Sequence, residues 1–322
     1  MRPRRRKVSI SWRVSSRMSR IESTYKARDV EETIDIYFYR PIGYWIAVAC
    51  RALGITPNVV TIVSIFIGVT GGHLLYYRDP VLNVWGIILW VLADTLDSVD
   101  GQLARMTDHK SKFGRILDGL GGNIIFLSIY SHLFARMVVS TSVWWPFLFI
   151  FVIASGISHS IQSALADYYR NAYIKFAVDP AKSELDGSDE VRAELKATSF
   201  RKHPIRKIML RIYLNYTVEQ EAFSKNFQTL RKRVDRESGN AIPAWFADRY
   251  RELNKPLMKY YAILTTNIRM IIMAVCVMLD AVPLYFFIEI IGINLVMVLV
   301  TMVQEKRSAR LLEEIDRHLV VA

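Results

Sequence analysis

Six apolar runs, each about 20 residues long, constrain this chain most, because each can cross a hydrocarbon layer about 30 Å thick. The chain has 322 residues, of which 52% are hydrophobic, and its mean hydropathy is +0.19. We expect the runs to be helices, since a membrane-spanning segment must pair its own backbone polar groups. The predicted fold is all-α, a polytopic membrane protein with six spans. The spans are predicted over residues 59–77, 81–105, 113–139, 143–169, 257–279 and 284–303.

The other segments are predicted to lie at the membrane surface or in the cytoplasm. An aromatic segment interrupted by Arg40 and Pro41 is expected to be an interfacial helix. A polar segment with helical apolar spacing follows the fourth span, and predicts a cytoplasmic insertion of amphipathic helices that rests on the membrane or on a partner subunit. The predicted organisation is a basic arm (1–34), the interfacial helix (35–56), a four-span core (57–170), the insertion (171–256), two further spans (257–303) and a charged tail (304–322).

The distribution of charge predicts the orientation of the chain. A net charge of +12 is explained by cationic segments beside anionic lipid headgroups, so no nucleic-acid partner is expected. The cations lie in the arm, the loop 106–112, the insertion and the tail. The turns on the opposite side contain Arg78 as their only cation. Both termini and the loop between the second and third spans are therefore predicted to be cytoplasmic. Cys50 and Cys276 have neither disulfide nor zinc spacing.

Four aspartates lie near the ends of the second and third spans: Asp94, Asp97, Asp100 and Asp118. An acid at the centre of a membrane helix costs about 2.5–3.5 kcal/mol on the insertion scale, so such a cluster predicts a functional site. Asp97 and Asp100 are three residues apart and share a helix face. Antiparallel packing of the two spans would bring Asp118 to them. Oxygen ligands favour a hard divalent cation, which predicts metal-assisted phosphoryl transfer, with cation transport as the rival class.

Small residues and an arginine beside these acids make the pattern more specific. The motif Asp97-x2-Asp100-Gly101-x2-Ala104-Arg105-x8-Gly114-x3-Asp118 resembles the signature of the CDP-alcohol phosphotransferase family. The resemblance implies transfer of a substituted phosphoryl group from a CDP-alcohol donor to the hydroxyl of a lipid or polyol acceptor. CMP would leave, and the reaction would be a step in the synthesis of phospholipid or sphingolipid headgroups. Cation transport gives no reason for the small residues of this motif.

The resemblance also implies a role for each matching residue. The implied ligands of Mg²⁺ or Mn²⁺ are Asp97, Asp100 and Asp118. The implied CDP-binding residues are Gly101, Ala104, Arg105 and Gly114, together with Asn58 and Thr61 at the start of the first span. A homodimer in contact with membrane lipids, with its active site facing the cytoplasm, is implied as well.

One position departs from the family's pattern, because Gly122 stands where that pattern has a fourth aspartate as general base. In one interpretation the protein is a transferase and another group takes the proton: first Asp94, then His109 or His159. In the other it is catalytically silent and binds a CDP-alcohol or lipid as a non-enzymatic subunit. A missing base costs ~10²–10⁴-fold in rate, while metal and positioning retain activity, so we favour the transferase.

Two charged residues in the last two spans also need partners. Arg269 is expected either to hold a phosphate of the donor or acceptor or to pair with a membrane acid. Glu289 is expected to be an interhelical partner.

Overall fold

The computed structural model of the protein describes residues 27–108, 112–140, 142–238 and 241–321. These residues form helices and contain no strand. Six helical segments are long and apolar enough to cross a membrane, which confirms the all-α polytopic fold. His109 and most of the predicted basic arm lie outside the described residues. The first helices are α1 (Arg40–Ala52), which continues a π-helical turn at Asp35–Tyr39, then α2 (Pro57–Leu74), α3 (Pro80–Met106), α4 (Lys112–Ser140) and α5 (Trp145–Tyr173).

Local sequence signals set the starts of the membrane helices. Pro57 opens α2 and Pro80 opens α3, where the missing N–H of proline would have no helical partner anyway. Asp79 caps α3, because its carboxylate accepts hydrogen bonds from the backbone of Val81 at 2.7 Å and of Leu82 at 3.1 Å. The turn between the first two spans is therefore fixed by its own residues.

Helices α2 and α3 pack backbone to backbone. A methyl group added to Gly71 would lie 2.8 Å from the carbonyl oxygen of Gly86, and one added to Gly86 would lie 2.9 Å from that of Gly71. Small residues permit such close contact between membrane helices. The same antiparallel pair brings Thr61 of α2 to Asp100 of α3 near its other end.

The segment between α5 and the last spans forms further helices around an aromatic core. Phe176 lies in the π-helical continuation of α5, and its ring centroid is 6.0 Å from that of Phe227 and 5.7 Å from that of Phe246. All three rings are buried. The helices are α6 (Ser188–Ala197), α7 (Pro204–Ala222), α8 (Lys225–Ser238) and α9 (Ala244–Asn254).

The fifth span differs from the continuous helix expected over residues 257–279. A short helix α10 (Met258–Tyr261) is followed by a 3-10 turn, and α11 (Thr266–Met278) starts after a break. Thr265 at the break is extended, with φ −97° and ψ −179°, and its hydroxyl lies 2.6 Å from a carboxylate oxygen of Glu32. The same hydroxyl lies 2.6 Å from the Ala262 carbonyl, so the interruption is joined to both the preceding turn and a distant acid. The sixth span comprises α12 (Val282–Phe287), a π-helical segment (Ile288–Ile293) and α13 (Asn294–Val321).

A buried ion pair joins the last two spans. Nε of Arg269 lies 3.1 Å from a carboxylate oxygen of Glu289, and both side chains are fully buried. Arg269 also donates to the Leu264 carbonyl at 2.7 Å and to the Ser163 hydroxyl at 3.0 Å. Of the two roles expected for Arg269, the structure therefore shows the pairing with a membrane acid, and the expected interhelical role of Glu289 is confirmed.

Candidate functional site

A cavity of about 370 Å³, called here the main cavity, lies between the N-terminal segment and helices α3, α4, α5 and α11. Among its charged lining residues, acids outnumber cations. The eight carboxylates among its described lining residues are Glu31, Glu32, Asp35, Asp94, Asp97, Asp100, Asp118 and Asp167, and the three guanidinium groups are Arg40, Arg105 and Arg170.

Three of these carboxylates form a cluster suited to a divalent ion. One oxygen from each of Asp97, Asp100 and Asp118 lies within 4.8 Å of the others, so the structure brings together the acids that the spacing predicted to converge. Two ligand atoms on opposite sides of Mg²⁺ are about 4.2 Å apart, at roughly 2.1 Å from the ion. A small movement of the side chains would therefore bring the three oxygens to the spacing that a bound ion requires. A set of oxygen ligands suits Mg²⁺ or Mn²⁺.

Thr61 holds the most buried member of this cluster. Its hydroxyl lies 2.5 Å from a carboxylate oxygen of Asp100, and both side chains are buried. The structure thus places Thr61 against a candidate metal ligand, where it fixes the orientation of that carboxylate.

Arg105 presents an unsatisfied donor at the edge of the cluster. Its Nε is buried and has no hydrogen-bond partner among the described residues. A buried N–H without a partner is costly, and a guanidinium group binds phosphate oxygens well. A Cβ on Gly101 would lie 3.3 Å from Nη2 of Arg105, so glycine gives the guanidinium room on this face. The Nε–H group of Arg105 is therefore positioned to bind an anionic ligand.

The space that a side chain at position 122 would enter is open. Apart from the adjoining residues and backbone of its own helix, no heavy atom of the described residues lies within 4 Å of where its Cβ would be. Gly122 lines a second, small cavity of about 70 Å³, which shares the wall residues Asp94, Asp97 and Thr266 with the main cavity. Asp94 thus reaches both cavities. The next residue, Asn123, donates its amide to the Gly119 carbonyl at 2.9 Å.

The structure places other expected site residues away from the main cavity. His159 lines a separate apolar cavity between α4 and α5, and its Nδ1 lies 3.2 Å from the Tyr130 hydroxyl. Asn58 is exposed. Ala104 and Gly114 lie on α3 and α4, but they are absent from the described lining of the main cavity. His159 is therefore separated from the carboxylate cluster, whereas Asp94 lines the same cavity as the cluster.

Sequence reasoning missed the N-terminal side of the main cavity. Glu31 forms a bidentate pair with Arg40, with a shortest distance of 3.0 Å, and Glu32 lies 3.5 Å from Nη1 of Arg170. Asp35 lines the same side. The charges of residues 31–40 were the one available signal, but they were attributed to the membrane surface.

Comparison with known proteins connects this geometry with a family. Residues 54–182 match the family model described as CDP-alcohol phosphatidyltransferase. A segment of 104 residues is 40% identical to the archaetidylinositol phosphate synthase of Pyrococcus horikoshii, and covers 32% of this chain and 52% of that protein. Another, of 142 residues, is 26% identical to the bifunctional IPC transferase and DIPP synthase of Thermococcus kodakarensis, and covers 44% of this chain and 31% of that protein.

The chain spans about half the length of the first of these relatives, and about a third of the second. The matched range contains the three clustered aspartates, Arg105 and Gly122. The part of the chain that builds the carboxylate cluster is therefore the part that matches the CDP-alcohol phosphatidyltransferase family.

Proposed function

We propose that this protein transfers a substituted phosphoryl group from a CDP-alcohol to the hydroxyl of a lipid or polyol acceptor, with release of CMP, in the synthesis of membrane-lipid headgroups. One observation carries the proposal: the three-carboxylate cluster and the unsatisfied, buried Nε of Arg105 line one cavity. The family match over residues 54–182 supports it. The charge of the segments flanking α3 and α4 supports a site that faces the cytoplasm.

The donor diphosphate is bound between Arg105 and the carboxylate cluster. Arg105 donates its unpaired Nε–H to a phosphate oxygen, and Gly101 leaves space beside the guanidinium group. Asp97, Asp100 and Asp118 would hold Mg²⁺ or Mn²⁺, which when bound supplies positive charge to the phosphate oxygens. This arrangement stabilises negative charge on the phosphate and on the departing CMP.

Asp94 takes the proton of the acceptor hydroxyl. No described residue donates a hydrogen bond to its carboxylate, and it lines both the main and the small cavity. As the acceptor oxygen bonds to phosphorus, its proton passes to Asp94, the bond from phosphorus to the CMP oxygen breaks, and CMP leaves with the electron pair. Asp94 thus supplies the base that Gly122 lacks.

Release of CMP by the purified protein in lipid nanodiscs tests the proposal. The donors are labelled CDP-diacylglycerol, CDP-ethanolamine, CDP-choline and CDP-inositol, with a lipid extract and common polyols as acceptors and Mg²⁺ present. We expect one donor to yield CMP, and Asp97→Asn to abolish the release. Asp248→Asn, the same change at an exposed position of α9, should leave the rate unchanged.

Two results would contradict the proposal. No CMP from the wild-type protein with any pair of donor and acceptor would favour the non-catalytic binder. A fully active Asp97→Asn variant would separate the activity from the carboxylate cluster.

A further inference from the structure

The N-terminal wall of the main cavity, formed by Glu31, Glu32, Asp35, Tyr39 and Arg40, neutralises the cations near it. Arg40 is held by Glu31 through three contacts of 3.0–3.1 Å. Arg170 pairs with Glu32 and also donates to the Val30 carbonyl. Both guanidinium groups are therefore engaged by the chain itself.

Neutral side chains hold the remaining acids of this wall in place. Glu32 accepts hydrogen bonds from Thr265 at 2.6 Å and from Asn267 at 2.9 Å, and Asp35 accepts one from Asn267 at 3.0 Å. Asn267 is 7% exposed, and its amide nitrogen donates to both acids. These hydrogen bonds hold the carboxylates in place but add no positive charge. The N-terminal wall therefore keeps a net negative charge.

The negative charge is concentrated near one point of the cavity. Burial raises the pKa of the Tyr39 hydroxyl, and Asp94, Asp35 and Glu32 each raise it further. Burial also raises the pKa of Glu32, against the opposing effect of Arg170. Glu32 and Asp35 therefore act together with Asp94, the proposed proton acceptor.

We infer that the small, water-soluble alcohol of the substrate pair carries no phosphate and is a neutral polyol or a cationic amino alcohol. This inference rests on the proposed function. A phosphate would add about −1.5 to −2 charges beside carboxylates that are already held in place. The repulsion between these like charges would select strongly against a phosphorylated alcohol. To bind a phosphorylated alcohol, Arg40 or Arg170 would have to break its ion pair with Glu31 or Glu32. Hydroxyl and ammonium groups, in contrast, find carboxylate acceptors already in place.

The N-terminal wall lies outside the family match, whereas Asp94 and Arg170 lie inside it. The N-terminal wall ends at Arg40, and Thr265 and Asn267 belong to the fifth span, whereas the match covers residues 54–182.

Calorimetric titration of the whole protein in nanodiscs, loaded with Mn²⁺ and CMP, tests the inference. The probes are glycerol and glycerol 3-phosphate, myo-inositol and inositol 1-phosphate, and ethanolamine. We expect the phosphate-free member of each pair to bind about tenfold more tightly or better. Tighter or equal binding of the phosphorylated member of either pair would overturn the inference, as would no binding of glycerol, myo-inositol and ethanolamine.

A matched pair of variants ties the effect to the wall. Glu32→Gln removes one negative charge and releases Arg170, so the Kd ratio of each pair should fall by about threefold or more. Asp189→Asn makes the same change of net charge at an exposed position of α6, and should leave the ratio unchanged. An unchanged ratio in Glu32→Gln would overturn the inference.

Failure of this inference is distinguishable from failure of the proposed function. Preference for the phosphorylated alcohols together with CMP release would remove the inference alone. The expected order of binding without CMP release from any donor would remove the transferase and leave the charge selectivity.

Discussion

Replacing Asp94 by Asn and Gly122 by Asp in one protein should move the proton acceptor from α3 to α4. Loss of a general base lowers a rate by ~10²–10⁴-fold, or about 2.7–5.4 kcal/mol at 1.36 kcal/mol per tenfold. We expect Asp94→Asn alone to show a loss in this range and to bind CDP normally, because Arg105 and the carboxylate cluster are untouched.

The structure gives the new carboxylate room. Outside the adjoining part of its own helix, no atom of the described chain lies within 4 Å of the Cβ position of Gly122. The small cavity of about 70 Å³ is several times the ~10–15 Å³ that one water needs. Position 122 is four residues after Asp118, on the same face of α4. We therefore expect Gly122→Asp to restore at least about tenfold of the rate lost in Asp94→Asn, well within the contribution of a base.

The assay is the initial rate of CMP release at saturating donor, for the wild type, both single variants and the double variant. Gly119→Asp combined with Asp94→Asn is the matched control. Gly119 also has no atom within 4 Å of its Cβ position, but it is absent from the described linings of the main and small cavities. A fully active Asp94→Asn variant would refute the role of Asp94, and equal rates for the two double variants would refute the move of that role to position 122.

Three further predictions concern metal and stability. Removal of divalent metal with EDTA should abolish CMP release, and Asp118→Asn should raise the Mn²⁺ concentration for half-maximal rate by about 10-fold or more; activity that resists EDTA would contradict this. Arg269→Ala should lower the free energy of unfolding by about 3–5 kcal/mol, because Glu289 stays buried without its partner; an unchanged melting temperature in detergent would disprove it. A hydrogen bond from the buried Arg136 helps to hold the pKa of Asp280 below its usual 3.8. Ionised Asp280 therefore stabilises the fold above that pH, and the contribution is lost as acid protonates it. Asp280→Asn should lower the melting temperature at pH 7, and this decrease should become smaller as the pH falls below 3.8; an equal decrease at every pH would exclude this linkage.

The sequence predicted the features that arise from local pattern. Apolar runs of spanning length located the membrane helices, because length and composition decide whether a helix can cross a bilayer. The spacing of Asp97 and Asp100 placed both on one face of α3, and the short loop to α4 made the approach of Asp118 geometrically plain. These parts of the candidate site needed no knowledge of distant contacts.

The acidic wall of the main cavity had no such signal. Glu32 and Thr265 are 233 positions apart, and no periodicity links an N-terminal segment with the fifth span. The aromatic segment interrupted by Arg40 and Pro41 suggested a helix at the membrane surface, whereas the structure pairs Arg40 with Glu31. The break before α11 was also missed, and Thr265 at the break contacts a remote carboxylate.

The ion pair between Arg269 and Glu289 bears on how the chain enters the bilayer during synthesis. An arginine or an acid at the centre of a single helix costs about 2.5–3.5 kcal/mol on the insertion scale. These two residues are 20 positions apart, on helices joined by a short turn. Each neutralises the other only when both helices are present, so we expect the last two spans to enter the membrane together as a helical hairpin.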